Sequence, residues 1–256
     1  MKILILMSYF NRPKLVRNAL SSIIKAGELH SDWELVFGDD GSDIPGEPIV
    51  KEVMQNCIEK VKIINTKMSF VDKINKGLML GKYCNEVISN SDSDIGIMFS
   101  DDDEIHPDYF KKLNDYFLQN KDILYCFSKI HLFNPLIQKS HDVKNLDNKY
   151  NKSSVPIVPM NQVDASQVAW RLDCCKKHGA WFANSTNFDV KKPLIKDTDK
   201  SFFEKLYEKC GLCHPTFFVS QYKGIHDYQL LWHKNADEHE LKKYYELVKS
   251  QAGVLL

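Results

Sequence analysis

The chain is expected to fold as an α/β domain with a mostly parallel central sheet and helices on both faces. Three observations predict this. Through residues 1–125, short apolar runs of strand character alternate with longer runs of helical periodicity. Three of the apolar runs end in compact polar clusters, "SYFN", "DDGSD" and "SDDDE", and open α/β sheets bind ligands at that carboxyl edge. Finally, 256 residues at 43% hydrophobic and 27% charged can bury one sizeable core and are too apolar for a disordered chain.

Each element has its own justification. Ile3 to Met7 is a short buried strand. "PKLVRNALSSIIKAG" opens on Pro13, sets Leu15, Ala19, Ile23 and Ile24 on one helical face, and stops at Gly27. "WELVFGDDGSD" is a second strand running into a turn. Ile49 to Lys60 reads as a helix, "VKIIN" as a third strand, Val71 to Ser89 as a helix, and "IGIMFS" as a fourth strand. A helix follows from Pro107 to Gln119. Asn134 to Pro159 turns polar and reads as a long loop, a candidate lid. Beyond it, Gln162 to Gly179 gives a short strand then a helix, "DTDKSFFEKLYEKCG" an amphipathic helix, "TFFVSQYKGIHDY" a strand, and "ADEHELKKYYELVKSQAG" a C-terminal helix. One domain over 1–256 is expected, with residues 1–125 as one half and 160–256 as the other.

Composition weighs against several functions. Lys+Arg and Asp+Glu both number 34, so no global basic field attracts nucleic acid or anionic lipid. The first apolar run is too short for a leader and lacks a cleavage site before Arg12 and Pro13. No stretch approaches the ~18–20 apolar residues of a membrane span. Seven cysteines, an odd number, predict reduced thiols and a cytoplasmic protein.

The run from Asp101 to Glu104 invites two readings. Carboxylate oxygens are hard ligands for Mg²⁺ or Mn²⁺, and a loop after a strand can aim Asp101 and Asp103 the same way. Asp102, between them, would then face a nucleotide or the loop backbone. Alternatively, the run is a solvated acidic turn ahead of the helix at Pro107.

With the other clusters, these residues resemble the GT-A glycosyltransferases of the family 2 type. "MSYFNRPKLVRNALSSI" is similar to the family's first strand and helix, P-T-Y-N-R followed by L-x-x-x-L-x-S-I. "WELVFGDDGSD" is similar to its D-D-G-S-x-D signature, and "GKYCNEVISNSDSDIGIMFSDDDE" to its R-N-x-G-I, apolar strand, D-x-D order. The resemblance covers residues 2 to about 110 well and 160–230 loosely. It implies a GT-A fold and a metal-dependent transferase that moves a sugar from a nucleotide-diphospho-sugar, UDP-linked, to an unidentified acceptor with inversion.

The same resemblance implies the site residues. Phe10, with Tyr9, stands beside the base, and Asp40, with Asp39, accepts a hydrogen bond from base or ribose. Asn85 fits the family's Asn, while Cys84 occupies the usual Arg position and leaves Lys82 as a weak substitute. Mn²⁺ or Mg²⁺ would sit at Asp103 with help from Asp101, and His226, beside Asp227, would complete its ligands. The family's E-D pair supplies the base; here Asp199 aligns best and Asp197 stands near the Glu position. Trp170 and Arg171 match the region covering the donor sugar, and Trp181 could stack on a sugar ring. Acceptors that would fit include a lipid-linked glycan, a polysaccharide, a protein or a modified nucleic-acid base.

Two other enzymatic or binding readings compete. A nucleotidyltransferase would favour a Gly-rich phosphate loop after the first strand, and "SYFNRP" has no Gly. An inactive relative that only binds a sugar nucleotide is favoured by the missing E-D pair and Arg, and disfavoured by the intact Asp101 and Asp103. Separately, "CGLCH" fits a haem-attachment pattern, and Cys174, Cys175, His178, Cys210, Cys213 and His214 offer an irregular zinc set. Buried free thiols are the default expectation there.

Overall fold

The computed structural model describes residues 1–67, 80–133, 153–159, 163–178 and 198–224. Four mutually parallel strands form one half of its sheet: β1 (Ile3–Tyr9), β2 (Trp33–Asp39), β3 (Val61–Asn65) and β4 (Ile95–Ser100). The other strands described are β5 (Glu104–Ile105), β6 (Tyr125–Phe133), β7 (Val168–Arg171) and β8 (His214–Gly224). The sheet order is β3-β2-β1-β4-β7-β6-β8-β5. β7 is antiparallel to both β4 and β6, β6 runs parallel to β8, and β5 is antiparallel to β8.

Side chains along β1 show why the strand reads as a continuous apolar run. Ile3, Ile5, Met7 and Tyr9 enter one core, against α1 (Pro13–Gly27) and the helix Tyr109–Gln119. Leu4 and Leu6 enter a second core on the opposite face, with Val36, Val87 and Phe202. A parallel sheet covered on both faces needs apolar residues at every position.

Among the described residues the remaining helices are α2 (Glu47–Val53), α3 (Leu80–Asn90), α4 (Tyr109–Gln119), α5 (Leu172–His178) and α6 (Thr198–Cys210). The single helix expected over Ile49 to Lys60 is instead α2 followed by a 3₁₀ segment, Gln55–Lys60. Cys57, at φ −147°, interrupts the helical path. β6 has no counterpart among the expected elements, because Ser128, Lys129 and His131 break its apolar pattern. Ser128 is nevertheless buried and Lys129 exposed, as alternation along a strand allows. The expected C-terminal helix and most of the expected lid lie outside the described residues.

The thiol expectation is corrected. A disulfide joins Cys174 on α5 to Cys210 at the end of α6. Proximity explains it: Cys174 lies in the second core, and Cys210 packs against that core from the neighbouring helix. Cys175 and Cys213 stay buried as free thiols, and burial pushes the Cys175 thiol up to about 12.

Candidate active site

Strand register brings the polar clusters together. Tyr9 pairs with Asp39, Asp39 with Asn65, and Ser8 with Ser100. The residues that follow, Phe10, Asp40, Thr66 and Asp101, therefore leave the sheet at one edge. The first two loops are stapled to each other there. Asn11 takes a left-handed conformation at φ 52°, which Asn tolerates better than most residues. Its backbone N–H donates to Ser42 Oγ at 3.1 Å, and its Oδ1 accepts from the Ile44 N–H at 3.2 Å.

Asp39 and Tyr9 serve the scaffold rather than the crevice. Asp39 accepts from the backbone N–H groups of Ser42 at 2.9 Å and Gly46 at 2.8 Å, so both its oxygens hold the turn. Tyr9 is fully buried, stacks on Phe37 at 5.4 Å between centroids, and donates to the Ile44 carbonyl at 2.9 Å. A Cβ on Gly46 would come within 2.5 Å of the Phe37 ring, so only glycine fits there. The ligand-facing role expected for Tyr9 and Asp39 is thus corrected to a structural one.

Asp40 faces a different way. It lines a cavity of about 350 Å³ with Thr66, Tyr83, Cys84, Ser100 and Lys223. Thr66 Oγ1 donates to Asp40 Oδ1 at 3.4 Å. The floor is apolar, with Val36, Ile64 and Met98 beneath the polar rim. A cavity of this size with an apolar floor and few polar groups suits a small organic ligand. Phe10 sits half-buried at the same edge, its backbone N–H donating to Asp101 Oδ2 at 3.0 Å. Asn85 lies on α3; the side chain of Lys82 falls outside the described residues.

Asp101, Asp102 and Asp103 are buried and Glu104 half-buried, which disagrees with the solvated-turn reading. Arg12 Nη1 sits 2.8 Å from Asp101 Oδ1 and 2.9 Å from Asp102 Oδ2. Burial pushes the Asp101 carboxyl up to about 6; Arg12 pulls against that, and the charge of Asp102 adds to it. Asp103 is fully buried, and its Oδ2 accepts from Gln221 Nε2 at 3.0 Å. Lys223 Nζ lies 3.7 Å from the same oxygen and 3.2 Å from Asp164 Oδ2. Burial disfavours the charge of Lys223, but Asp103, then Asp164, outweigh it and raise its pKa. Burial also works against Asp164, yet Lys223 and Ser166 hold that carboxyl below its ordinary range.

At this edge Asp101 and Asp102 pair with Arg12, and Asp103 and Asp164 with Lys223. Carboxylate oxygens are hard donors, the ligand chemistry that Mg²⁺ or Mn²⁺ requires. Among the described residues, no group of three or more His, Cys, Asp or Glu is already arranged around a metal position. His226, Asp197, Asp227 and Trp181 lie outside the described residues, as does the side chain of Asp199.

Two expected sugar contacts are corrected. Trp170 is fully buried, seated on Gly96, where a Cβ would meet its ring at 2.6 Å, and edge-on to Phe202 at 4.9 Å. Arg171 donates to the carbonyls of Phe117 at 2.7 Å and Ile123 at 3.0 Å, satisfying backbone at the end of α4. Gln221, Lys223 and Asp164 were not among the expected site residues. Their signal is slight: Gln221 and Lys223, two apart on a strand, share a face.

The fold and the crevice define a nucleotide-sugar transferase architecture of the GT-A type. Residues 4–164 match the model of Glycosyl transferase family 2, more than half of the chain, and the chain belongs to that family. No curated protein matches. Among solved structures, residues 1–349 of S. aureus TarS in complex with UDP-GlcNAc are similar at 15% identity and a TM-score of 0.66, covering 98% of this chain and 66% of that one. The mannosyltransferase PcManGT from Pyrobaculum calidifontis, in complex with GDP-Man and Mn²⁺, is similar at 11% identity and a TM-score of 0.59, covering 98% and 73%. The chain spans 65% of TarS 1–349 in its UDP complex and 44% of the longer TarS structure. At these identities the likeness concerns the fold.

Proposed function

We propose that the chain transfers a glycosyl group from a nucleoside-diphosphate sugar, UDP-linked, to an acceptor hydroxyl with inversion. The observation that carries this reading is the adjacency of the Asp40 cavity and the buried Asp101–Asp103 run in a family 2 chain. Phe10 offers a flat apolar face to a base, and Asp40 accepts a ring N–H. TarS in complex with UDP-GlcNAc supports a uridine donor. On this reading residues 1–125 hold the donor, and residues 160–256 cover it and shape the acceptor site.

In the transfer, the acceptor oxygen bonds to the anomeric carbon as the bond from that carbon to the diphosphate breaks. Asp199, near the start of α6, takes the acceptor proton. Asp103 and Asp101 are the residues that would hold Mn²⁺ or Mg²⁺. When bound, such an ion supplies Lewis-acid stabilisation of the charge growing on the departing diphosphate. Arg12 fixes Asp101 and Asp102, and Gln221 fixes Asp103, so these carboxylates need little reorganisation.

The test is UDP-sugar turnover with Mn²⁺, with water or a sugar as acceptor, followed through released UDP. Turnover that Asp103→Ala lowers by about three orders of magnitude is the expected result. Stabilisation by UDP without any turnover across donors would instead favour an inactive binder, the reading that Cys84 at the usual Arg position keeps in view.

A further inference from the structure

We propose that Lys223 is the resident counter-ion of this acidic edge and competes with a divalent cation for Asp103. One oxygen of Asp103 is already met by two groups of β8. Gln221 Nε2 donates to Oδ2 at 3.0 Å, and Lys223 Nζ stands 3.7 Å from the same atom. Both groups come from one face of β8, two residues apart, so strand geometry delivers them as a pair. An ammonium and a divalent ion on one buried carboxylate repel each other strongly, since the surroundings screen them far less than water does. Occupancy of Asp103 by one therefore disfavours the other, and the two equilibria are linked.

What makes Lys223 movable is a second seat. Its Nζ is nearer to Asp164 Oδ2, at 3.2 Å, than to Asp103. Asp164 is itself fixed: its other oxygen, Oδ1, accepts from the Ser166 backbone N–H at 3.1 Å and from the Ser166 hydroxyl. Asp164 and Gln167 form a reciprocal capping box at the start of the 3₁₀ turn Ala165–Gln167. A lysine has a compact charge on a flexible stem. Lys223 can thus release Asp103 without becoming an unpaired buried charge. Arg12 has no such freedom, because one nitrogen already bridges Asp101 and Asp102.

Cation binding at Asp103 shifts Lys223 toward Asp164 and the cavity that both residues line. There the ammonium meets the diphosphate of a bound donor. Only this last step rests on the transferase reading; the competition for Asp103 does not. Lys223 is accordingly a positioning residue whose effect is read in cation affinity.

The experiment measures Mn²⁺ binding to the nucleotide-free protein by electron paramagnetic resonance of the free ion. Lys223→Met should bind Mn²⁺ at least tenfold more tightly than the unaltered protein, and Lys223→Arg, which keeps the charge, within threefold of it. Asp103→Asn should lose the binding in either background. Should Lys223→Met fail to fold by circular dichroism, Lys223→Gln carries the same expectation with a donor retained. Unchanged or weaker Mn²⁺ binding on removing the charge, or no Mn²⁺ binding by any of these proteins, overturns the proposal. A parallel UDP titration separates the two readings. Failure of UDP to bind with Mn²⁺ present would sink the transferase reading, yet leave the cation competition to stand or fall on its own data.

Discussion

Two ion-pair clusters meet at this crevice, Arg12 with Asp101 and Asp102, and Lys223 with Asp103 and Asp164. The first is assembled by loops that leave adjacent parallel strands, β1 and β4. The second joins that loop to β8 and to the 3₁₀ turn after residue 163. One guanidinium nitrogen at 2.8 Å and 2.9 Å from two carboxylates is a rigid clamp. An ammonium at 3.2 Å and 3.7 Å is a looser bridge with somewhere else to go. The difference teaches a division of labour: one cluster shapes the loop, and the other exchanges its cation.

Breaking the exchangeable cluster should have the largest effect. Asp103→Ala is expected to lower UDP-sugar turnover by about three orders of magnitude, the scale of losing charge stabilisation at a leaving group. Steady-state release of UDP checks it. Asp199→Asn, away from both clusters, is expected to lower kcat by ~10²-fold or more with little change in donor affinity, as loss of a general base does. A matching loss of affinity would move Asp199 from base to binding residue.

The rigid cluster should show itself through pH. The folded chain binds the Asp101 proton more tightly than an unfolded one, because burial raises its pKa from 3.8 to about 6. Stability from this group is therefore full below about pH 4 and is lost as pH rises through about 6. Asp101→Asn removes that loss. Its Tm relative to the unaltered protein should climb between pH 4 and pH 7, and a flat difference would show that Arg12 already compensates the buried charge. Scaffold changes should be smaller or indifferent to ligand. Gly96→Ala forces a Cβ into the Trp170 ring and should cost ~1–3 kcal/mol of stability by chemical denaturation. Tyr9→Phe loses only the hydrogen bond to the Ile44 carbonyl, about 1 kcal/mol, and should leave UDP affinity unchanged.

Legibility follows the same divide. β1 to β4 and the loops after them are contiguous stretches whose apolar runs end in polar residues, so pattern alone locates Asp40 and Asp101 to Asp103 at one edge. The text of the motif does not tell Asp39 from Asp40. Only the backbone path, with Ser42 and Gly46 turned toward Asp39, decides which carboxylate is spent on the turn. Trp170 and Arg171 misled for a related reason, since a large aromatic and a cation near a site also serve a core and a helix end. Lys223 and Gln221 pair with an acid more than a hundred residues earlier in the chain. No local pattern announces such a meeting; β5–β8 pairing, with Glu104 opposite Tyr222, brings it about.

A crystal structure with UDP and Mn²⁺, using anomalous scattering to locate the ion, tests the central claim most directly. The account predicts the base against Phe10 and Asp40, an anomalous peak at Asp103, and Lys223 withdrawn onto Asp164. UDP bound away from this cavity, or an ion elsewhere with Lys223 still on Asp103, would contradict it.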